Sequence, residues 1–295
     1  MITRRTFLKS FGAMTVLGAG VATYGVVIEP GFLLNTTAYA FTPPNWTPGL
    51  KIRAALIADP HVVEPWFPIT RWRHVINAVN ALEPDIVFML GDYMASIRRF
   101  KSTVVPAADI AREAKALKPR LGVYSVNGNH DWWADRQAQR LHQPPEMQRA
   151  LEDAGIAVLA NKAMRLQKDG MPFWVTGTDS MAAIRTHQGP FGLNDLPGTL
   201  SLVTDNAPII HMAHEPDLFA DMPPRVSLTL SGHTHGGQVR IAGWAPVFSS
   251  ELSRRYQYGH IEEQGCNIVV SGGLGCSDLP IRFGMPPEIN LLELG

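Results

Sequence analysis

Short apolar runs and helix-length amphipathic stretches alternate through the first half of the chain. The runs at residues 52–58, 86–90, 121–126, 209–213 and 226–230 are β-branched or leucine-rich and have the length of buried strands. Between the early runs, the spacing predicts helices over 70–82, 107–117 and 145–154, the last stopped by Gly155. The resulting order is strand 51–58, helix, strand 86–90, helix, strand 121–126, helix. From Ile156 onward short strands dominate, expected at 157–159, 164–166, 173–176, 209–212, 228–230, 238–241 and 267–271. Two packed sheets flanked by helices bury such a set most economically, an α/β fold in four layers, α-β-β-α, with two mixed sheets.

Each of the five runs ends in a polar cluster: Asp59-Pro60-His61, Gly91-Asp92, Gly128-Asn129-His130-Asp131, His214, and Gly232-His233-Thr234-His235. An open sheet gathers functional groups outside the carboxyl ends of its strands, so these loops are expected to converge on one point. Five of the ten histidines fall in the clusters, whereas His74, His142, His187 and His260 stand singly in polar or helical surroundings and read as surface or structural residues. Any one cluster taken alone reads as a turn, since Asn, Gly and Asp are favoured there. Carboxylate, imidazole and amide oxygen together suit Mn, Fe or Zn, and the clusters contain no cysteine for a thiolate site. His211 lies an odd offset from His214 and so faces the other side of its strand, where a buried, hydrogen-bonded role is expected.

The order Asp-x-His, Gly-Asp, Gly-Asn-His-Asp, His, Gly-His-x-His resembles the calcineurin-like metallophosphoesterases over residues 51 to about 240. Gly236-Gly237-Gln238, the tail from Leu279 to Gly284 and Pro287-Glu288 resemble the bacterial membrane-associated branch, which holds exported phosphodiesterases and enzymes cleaving UDP-diacylglucosamine. The resemblance implies a metal site at the carboxyl ends of the strands. It gives one metal to Asp59, His61 and His235, a second to Asn129, His214 and His233, and Asp92 to both. Two divalent cations about 3.5 to 4 Å apart can activate water and clamp the oxygens of an in-line displacement, with no covalent intermediate. His130 is implied as the group that protonates or hydrogen-bonds the leaving oxygen, with Asp131 orienting its ring. Arg282 is the candidate clamp for a substrate phosphate, the alternative being an exposed salt-bridging arginine. Two positions depart from the pattern: Pro60, expected to hold Asp59 extended, and Tyr93 after Asp92.

Thr3-Arg4-Arg5-Thr6-Phe7-Leu8-Lys9 resembles the twin-arginine export motif and precedes a charge-free stretch, 10–28. Residues 1–40 are thus expected to be a twin-arginine signal peptide or a retained signal anchor, and residues 41–295 the catalytic domain. Ala38-Tyr39-Ala40 has the small-x-small form of a cleavage site, yet the branch resemblance implies a first strand over 35–42, after Glu29-Pro30. Both fates place the domain outside the cytoplasmic membrane, periplasmic or anchored to its outer face.

Without residues 1–40, the chain keeps 23 basic and 25 acidic residues, so no basic surplus exists to hold nucleic acid. Cys266 opens an apolar strand and Cys276 lies in a glycine-rich loop, and folding in a reducing compartment before export favours free thiols. Trp132-Trp133 and Trp66-Phe67 follow ligand loops, as aromatic surface beside the metals or as cover for a sheet edge. The expectation is a metal-dependent phosphohydrolase, a phosphodiesterase acting on a small-molecule or lipid phosphoester. The alternatives are a lipid diphosphatase of the UDP-diacylglucosamine type, against which the export signal counts, and an exported metal-binding protein without turnover, against which His130 counts.

Overall fold

A computed structural model describes residues 4–95, 97, 100–246 and 250–295; Thr3, which opens the export motif, lies outside the described residues. Six strands form the first sheet, in the order Asn35–Phe41, Glu288–Leu294, Ile52–Ile57, Ile86–Met89, Val123–Ser125 and Ala157–Val158. The second sheet runs Gly259–Glu263, Cys266–Val270, Leu228–Ser231, Ile209–Met212, Met171–Gly177 and Lys162–Lys168. Both are mixed, with parallel centres: Ile52–Ile57, Ile86–Met89 and Val123–Ser125 run the same way, as do Met171–Gly177, Ile209–Met212, Leu228–Ser231 and Cys266–Val270.

Strand alternation divides the core. Ala55, Ile57, Val87 and Met89 face the helices Ile69–Ala81, Ala107–Ala114 and Glu146–Asp153, where Trp72, Ile76, Ile110 and Leu151 meet them. Ala54, Leu56, Phe88 and Val126 face the other way, onto Phe173, Val175, Ile210, Met212 and Leu230 of the second sheet. That sheet turns Ile209, Ile268 and Val270 outward beneath Leu196, Leu218, Phe219 and Tyr256. These three apolar seams define the four expected layers. Full burial of each large aliphatic or aromatic side chain contributes about 1.5–3 kcal/mol, which explains why the central runs carry apolar residues on both faces.

Two elements depart from the pattern-based expectation, and a third, Asn35–Phe41, is the first strand that the branch resemblance implied. Residues 238–241 form no strand: Gln238 (φ 58°) and Ala242 (φ 51°) are left-handed, so the segment turns back and makes only bridges from Val239 to Phe283 and from Ile241 to Trp244. Asn129–Ala134 is a short helix that begins at the ligand turn itself. Asn35–Phe41 pairs in parallel with Glu288–Leu294 along its whole length, so the boundary at residue 40 falls inside a strand of the first sheet. Before it, Arg4–Thr23, a π-turn at Tyr24–Ile28 and Glu29–Phe32 run on as one helix, in which Met14–Phe32 is long and apolar enough to cross a membrane.

Candidate metal centre

All seven expected ligands lie just past the carboxyl ends of central strands, four from the first sheet and three from the second. The loops are laced together by backbone bonds. Asp59 N–H donates to Gly91 O (3.1 Å), His61 N–H to Asp92 O (3.1 Å), Gly232 N–H to His214 O (3.0 Å) and Gly275 N–H to Asp59 O (2.8 Å). Both Asp59 carboxylate oxygens accept from His233 N–H at 3.0 Å, which joins one sheet to the other.

To aim their side chains inward, Asp59, His61, Asp92, His233 and His235 all take positive φ, between 44° and 68°. A non-glycine residue in that region costs on the order of 1 kcal/mol or more, and such strain persists where the surroundings fix it. Asp59 is therefore not extended before Pro60: its two backbone bonds and the His233 amide set its conformation, and the donor that Pro60 lacks is not needed. Glycine is required at 91 and 128, which face each other. A Cβ on Gly91 would stand 2.5 Å from Gly128 N, and one on Gly128 would stand 2.1 Å from Asp92 Oδ1.

Two trios form, Asp59-His61-His235 and Asp92-His214-His233, each with its candidate ligand atoms within 4.8 Å of one another. His61 Nδ1 lies 3.1 Å from Met94 O and His214 Nδ1 2.7 Å from Leu90 O. A carbonyl only accepts, so both Nδ1 atoms carry a proton and the Nε2 atoms are the ones available to a metal. Both Nε2 atoms face one carboxylate: Asp92 Oδ2 lies 3.6 Å from His61 Nε2 and 3.3 Å from His214 Nε2. His61 Nε2 is also 3.1 Å from His235 Nε2, and His214 Nε2 is 3.3 Å from His233 Nδ1. Asn129 Oδ1 is buried with no hydrogen-bond donor. Lone pairs converging at this range repel unless positive charge stands among them, and Asp92 Oδ2 sits where it can serve both trios. The residues fit two divalent cations.

The electrostatics agree. Burial holds His61 down at about 3 and keeps His235 and His233 below the ordinary imidazole range, so all three rings are neutral, the form that can ligate a metal. Burial pushes Asp59 up to about 7, against the pull of His214. Asp92 goes the other way: burial would raise it, but His214, by its charge and its hydrogen bond, outweighs burial and holds it well below the usual carboxylate range. Burial alone would lower His214, yet Asp92 against it raises it well above the usual value, a sign that this corner calls for positive charge.

The remaining expected site residues divide. His130 stands beside the centre, its ring 4.8 Å from that of His61 and 5.0 Å from that of Trp133, with Nδ1 buried and unpartnered. Asp131 does not orient it. Its carboxylate is spent on four backbone amides, those of Asp92 and Gly128 (2.9 Å each), Tyr93 (2.9 Å) and Met94 (3.1 Å), so it shapes the Asp92 loop. Arg282 is neither exposed nor open to a substrate. It is fully buried, with Nε on Gly275 O (2.8 Å), Nη1 on Met285 O (2.9 Å) and Nη2 2.5 Å from Gly275 O and 3.2 Å from His235 Nδ1.

Trp132 is buried on Asp179, and Trp66 packs against Val63, Ala95 and Ile97. Trp133 reaches the rim, with the Arg185 guanidinium 3.7 Å above its ring. Sequence reasoning did not single out Arg185, or Tyr93 as more than a departure. The Tyr93 hydroxyl accepts from Gly91 N–H (3.1 Å) and pairs with Ser125 Oγ (2.7 Å), pinning the turn that presents Asp92. His211 is fully buried between Thr176 (2.8 Å) and Thr178 (3.4 Å), and both cysteines are buried free thiols.

Residues 52–237 match the model of the calcineurin-like phosphoesterases. The chain is 30% identical to the metallophosphoesterase YkuE of Bacillus subtilis, over 99% of this chain and 98% of that one. It is 27% identical to the phosphodiesterase YaeI of Escherichia coli along the full length of both. A transmembrane protein with a metallophosphoesterase domain from Danio rerio is 29% identical over 95% of this chain, which spans 61% of that relative. With candidate metal-binding trios at the strand ends of two packed sheets, this chain belongs to the calcineurin-like phosphoesterase family and is a metal-dependent phosphoester hydrolase.

Proposed function

We propose that the protein cleaves phosphodiesters at the outer face of the cytoplasmic membrane. In this reading Asp59, His61 and His235 would hold one divalent cation (Mn, Fe or Zn) and Asn129, His214 and His233 a second, with Asp92 available to both. The observation that carries it is Asp92 Oδ2 within 3.6 Å of two Nε2 atoms that belong to different trios. Preference for a diester draws on the phosphodiesterase relative. Export by the twin-arginine machinery and membrane association draw on Arg4-Arg5 and the apolar helix behind them.

When bound, a pair of divalent cations lowers the cost of deprotonating water and neutralises charge on the phosphoryl oxygens. Asp92 is held for this by His130 N–H on Oδ1 (2.7 Å), which leaves Oδ2 to the centre. Burial keeps the His130 imidazole neutral, so it acts as a hydrogen-bond donor to the oxygen that leaves. Arg185, exposed on the Trp133 ring and near enough for its charge to lower His130, takes the substrate-phosphate role that the tail motif suggested for Arg282. A second reading, a lipid-linked diphosphate substrate, is favoured by exposed Ile241 and Trp244 on the turn just beyond His235-Gly236-Gly237.

The test is hydrolysis of bis(p-nitrophenyl) phosphate against the monoester by the purified full chain supplied with Mn, Fe or Zn. Metal-dependent diester cleavage that exceeds monoester cleavage, and that Asp92→Asn removes, is expected. Preference for the monoester would overturn the diesterase reading, and turnover of lipid-linked diphosphates alone would select the second.

A further inference from the structure

We infer that Glu29, in the amino-terminal segment, is a positioning residue for the Asp59-His61-His235 trio, acting through Arg282, and that the working enzyme retains this segment. The inference rests on the two-cation reading above. It begins at a defect in the helix. At the π-turn, Glu29 N–H bonds back to Tyr24 O, so the next carbonyl, that of Gly25, would look to residue 30. Residue 30 is proline and has no N–H. Gly25 O instead accepts from Arg282 N–H at 2.8 Å, and the helix comes so close that a Cβ on Gly25 would stand 3.2 Å from Arg282 O.

One turn on, the Glu29 carboxylate is fully buried and accepts from Gly284 N–H (2.9 Å) and Met285 N–H (2.6 Å). Both ends of the 282–285 turn are thereby tied to the amino-terminal helix. The carbonyl of the same residue, Met285, accepts from Arg282 Nη1, and the other edge of the guanidinium grips Gly275 O. Gly275 O lies 3.3 Å from His235 Nδ1, and its amide bonds Asp59 O. Two members of the first trio are thus backed by Gly275, His235 at its carbonyl and Asp59 at its N–H; Arg282 grips that carbonyl, and Arg282 is fixed by Glu29 and Gly25. A ligating imidazole needs its second nitrogen held by such a partner, and loss of the partner typically weakens metal binding about 10–100-fold. In the other trio His214 has a different support, Nδ1 lying 2.7 Å from Leu90 O.

The segment also supplies Asn35–Phe41, paired in full with Glu288–Leu294. Removal after Ala40 would take away that strand, the Glu29 carboxylate and the Gly25 carbonyl together.

The experiment measures bound metal per full-length chain across a range of free Mn, with the electron paramagnetic resonance signal of paired Mn ions as second readout, for wild type, Glu29→Ala, Glu29→Asp and Arg282→Lys. Wild type is expected to bind two ions. Glu29→Ala and Arg282→Lys should each bind one as before and the other about 10–100-fold more weakly, with the paired signal lost at intermediate Mn and partly rescued in Glu29→Asp. Arg282→Lys keeps a buried cation but lacks the fork, so it tests the path should Glu29→Ala misfold. Unchanged affinity for both ions in a folded variant overturns the inference, as does equal weakening of both. Mass analysis of the mature protein from membranes should find residue 29 still attached, and a chain that begins at Phe41 overturns it equally. Failure of wild type to bind two ions is a different result, which removes the two-cation reading itself.

Discussion

His130 and Asp131 are neighbours in sequence with unrelated tasks. His130 leaves Nδ1 without a partner beside the trios, while Asp131 exhausts its oxygens on the amides of residues 92–94 and 128. From the sequence both looked catalytic, because a turn motif states which residues are present but not which way each side chain points. The ligands were legible for the opposite reason: Asp59, Asp92, His214 and His235 each stand within a few residues of a buried run, and a polar side chain there can only face the strand ends. Arg282 was misread because nothing in a loop sequence says whether its charge is solvated, and burial sends its N–H groups to main-chain carbonyls. His130→Ala should therefore lower kcat by about 10²- to 10⁴-fold, the usual range for a positioned proton-transfer or hydrogen-bonding group. Metal content should stay at the wild-type value, and activity that survives would remove His130 from the reaction.

Strands carried most of the legible structure, since a fully buried strand needs apolar residues on both faces and leaves an unbroken run such as 86–90. Residues 238–241 show where that logic fails: alternation alone predicted a strand, but left-handed Gln238 and Ala242 fold it into a turn. Within the second sheet, His211 sits in the strand Ile209–Met212 on Thr176 and Thr178, and burial lowers its pKa to about 3. The unfolded chain takes up a proton near pH 6.5 while the folded one does not until about pH 3. The contribution of His211 is thus present above about pH 6.5 and lost as pH falls toward 3, with a slope of up to roughly 1.4 kcal/mol per pH unit. His211→Gln removes that titration and keeps hydrogen-bonding capacity. Denaturant unfolding at pH 7, 6 and 5 should show stability falling less steeply in the variant than in wild type, and parallel curves would contradict the assignment.

Across the whole molecule, two sheets pack face to face so that loops from both meet at one edge, and no single sheet holds a complete site. His233 N–H on both oxygens of Asp59 is the clearest sign of that joint. The four layers followed from the order of runs, whereas the long-range partner of Asn35–Phe41, the last strand Glu288–Leu294, did not, because pairing across more than 250 residues leaves no local signal. The amino-terminal helix read as a signal peptide or an anchor, with no sign in the sequence that its Glu29 is buried against the turn that holds Arg282 beside His235. The central claim is that these loops hold two cations joined by Asp92. Anomalous diffraction from crystals of the Zn-loaded full chain, recorded at the zinc edge, tests it most directly. The account predicts two peaks per chain, one bonded by Asp59, His61 and His235 and one by Asn129, His214 and His233, at about 2.0–2.2 Å from their ligand atoms, with Asp92 Oδ2 bonded to both. A single peak, or two that do not share Asp92, would contradict it.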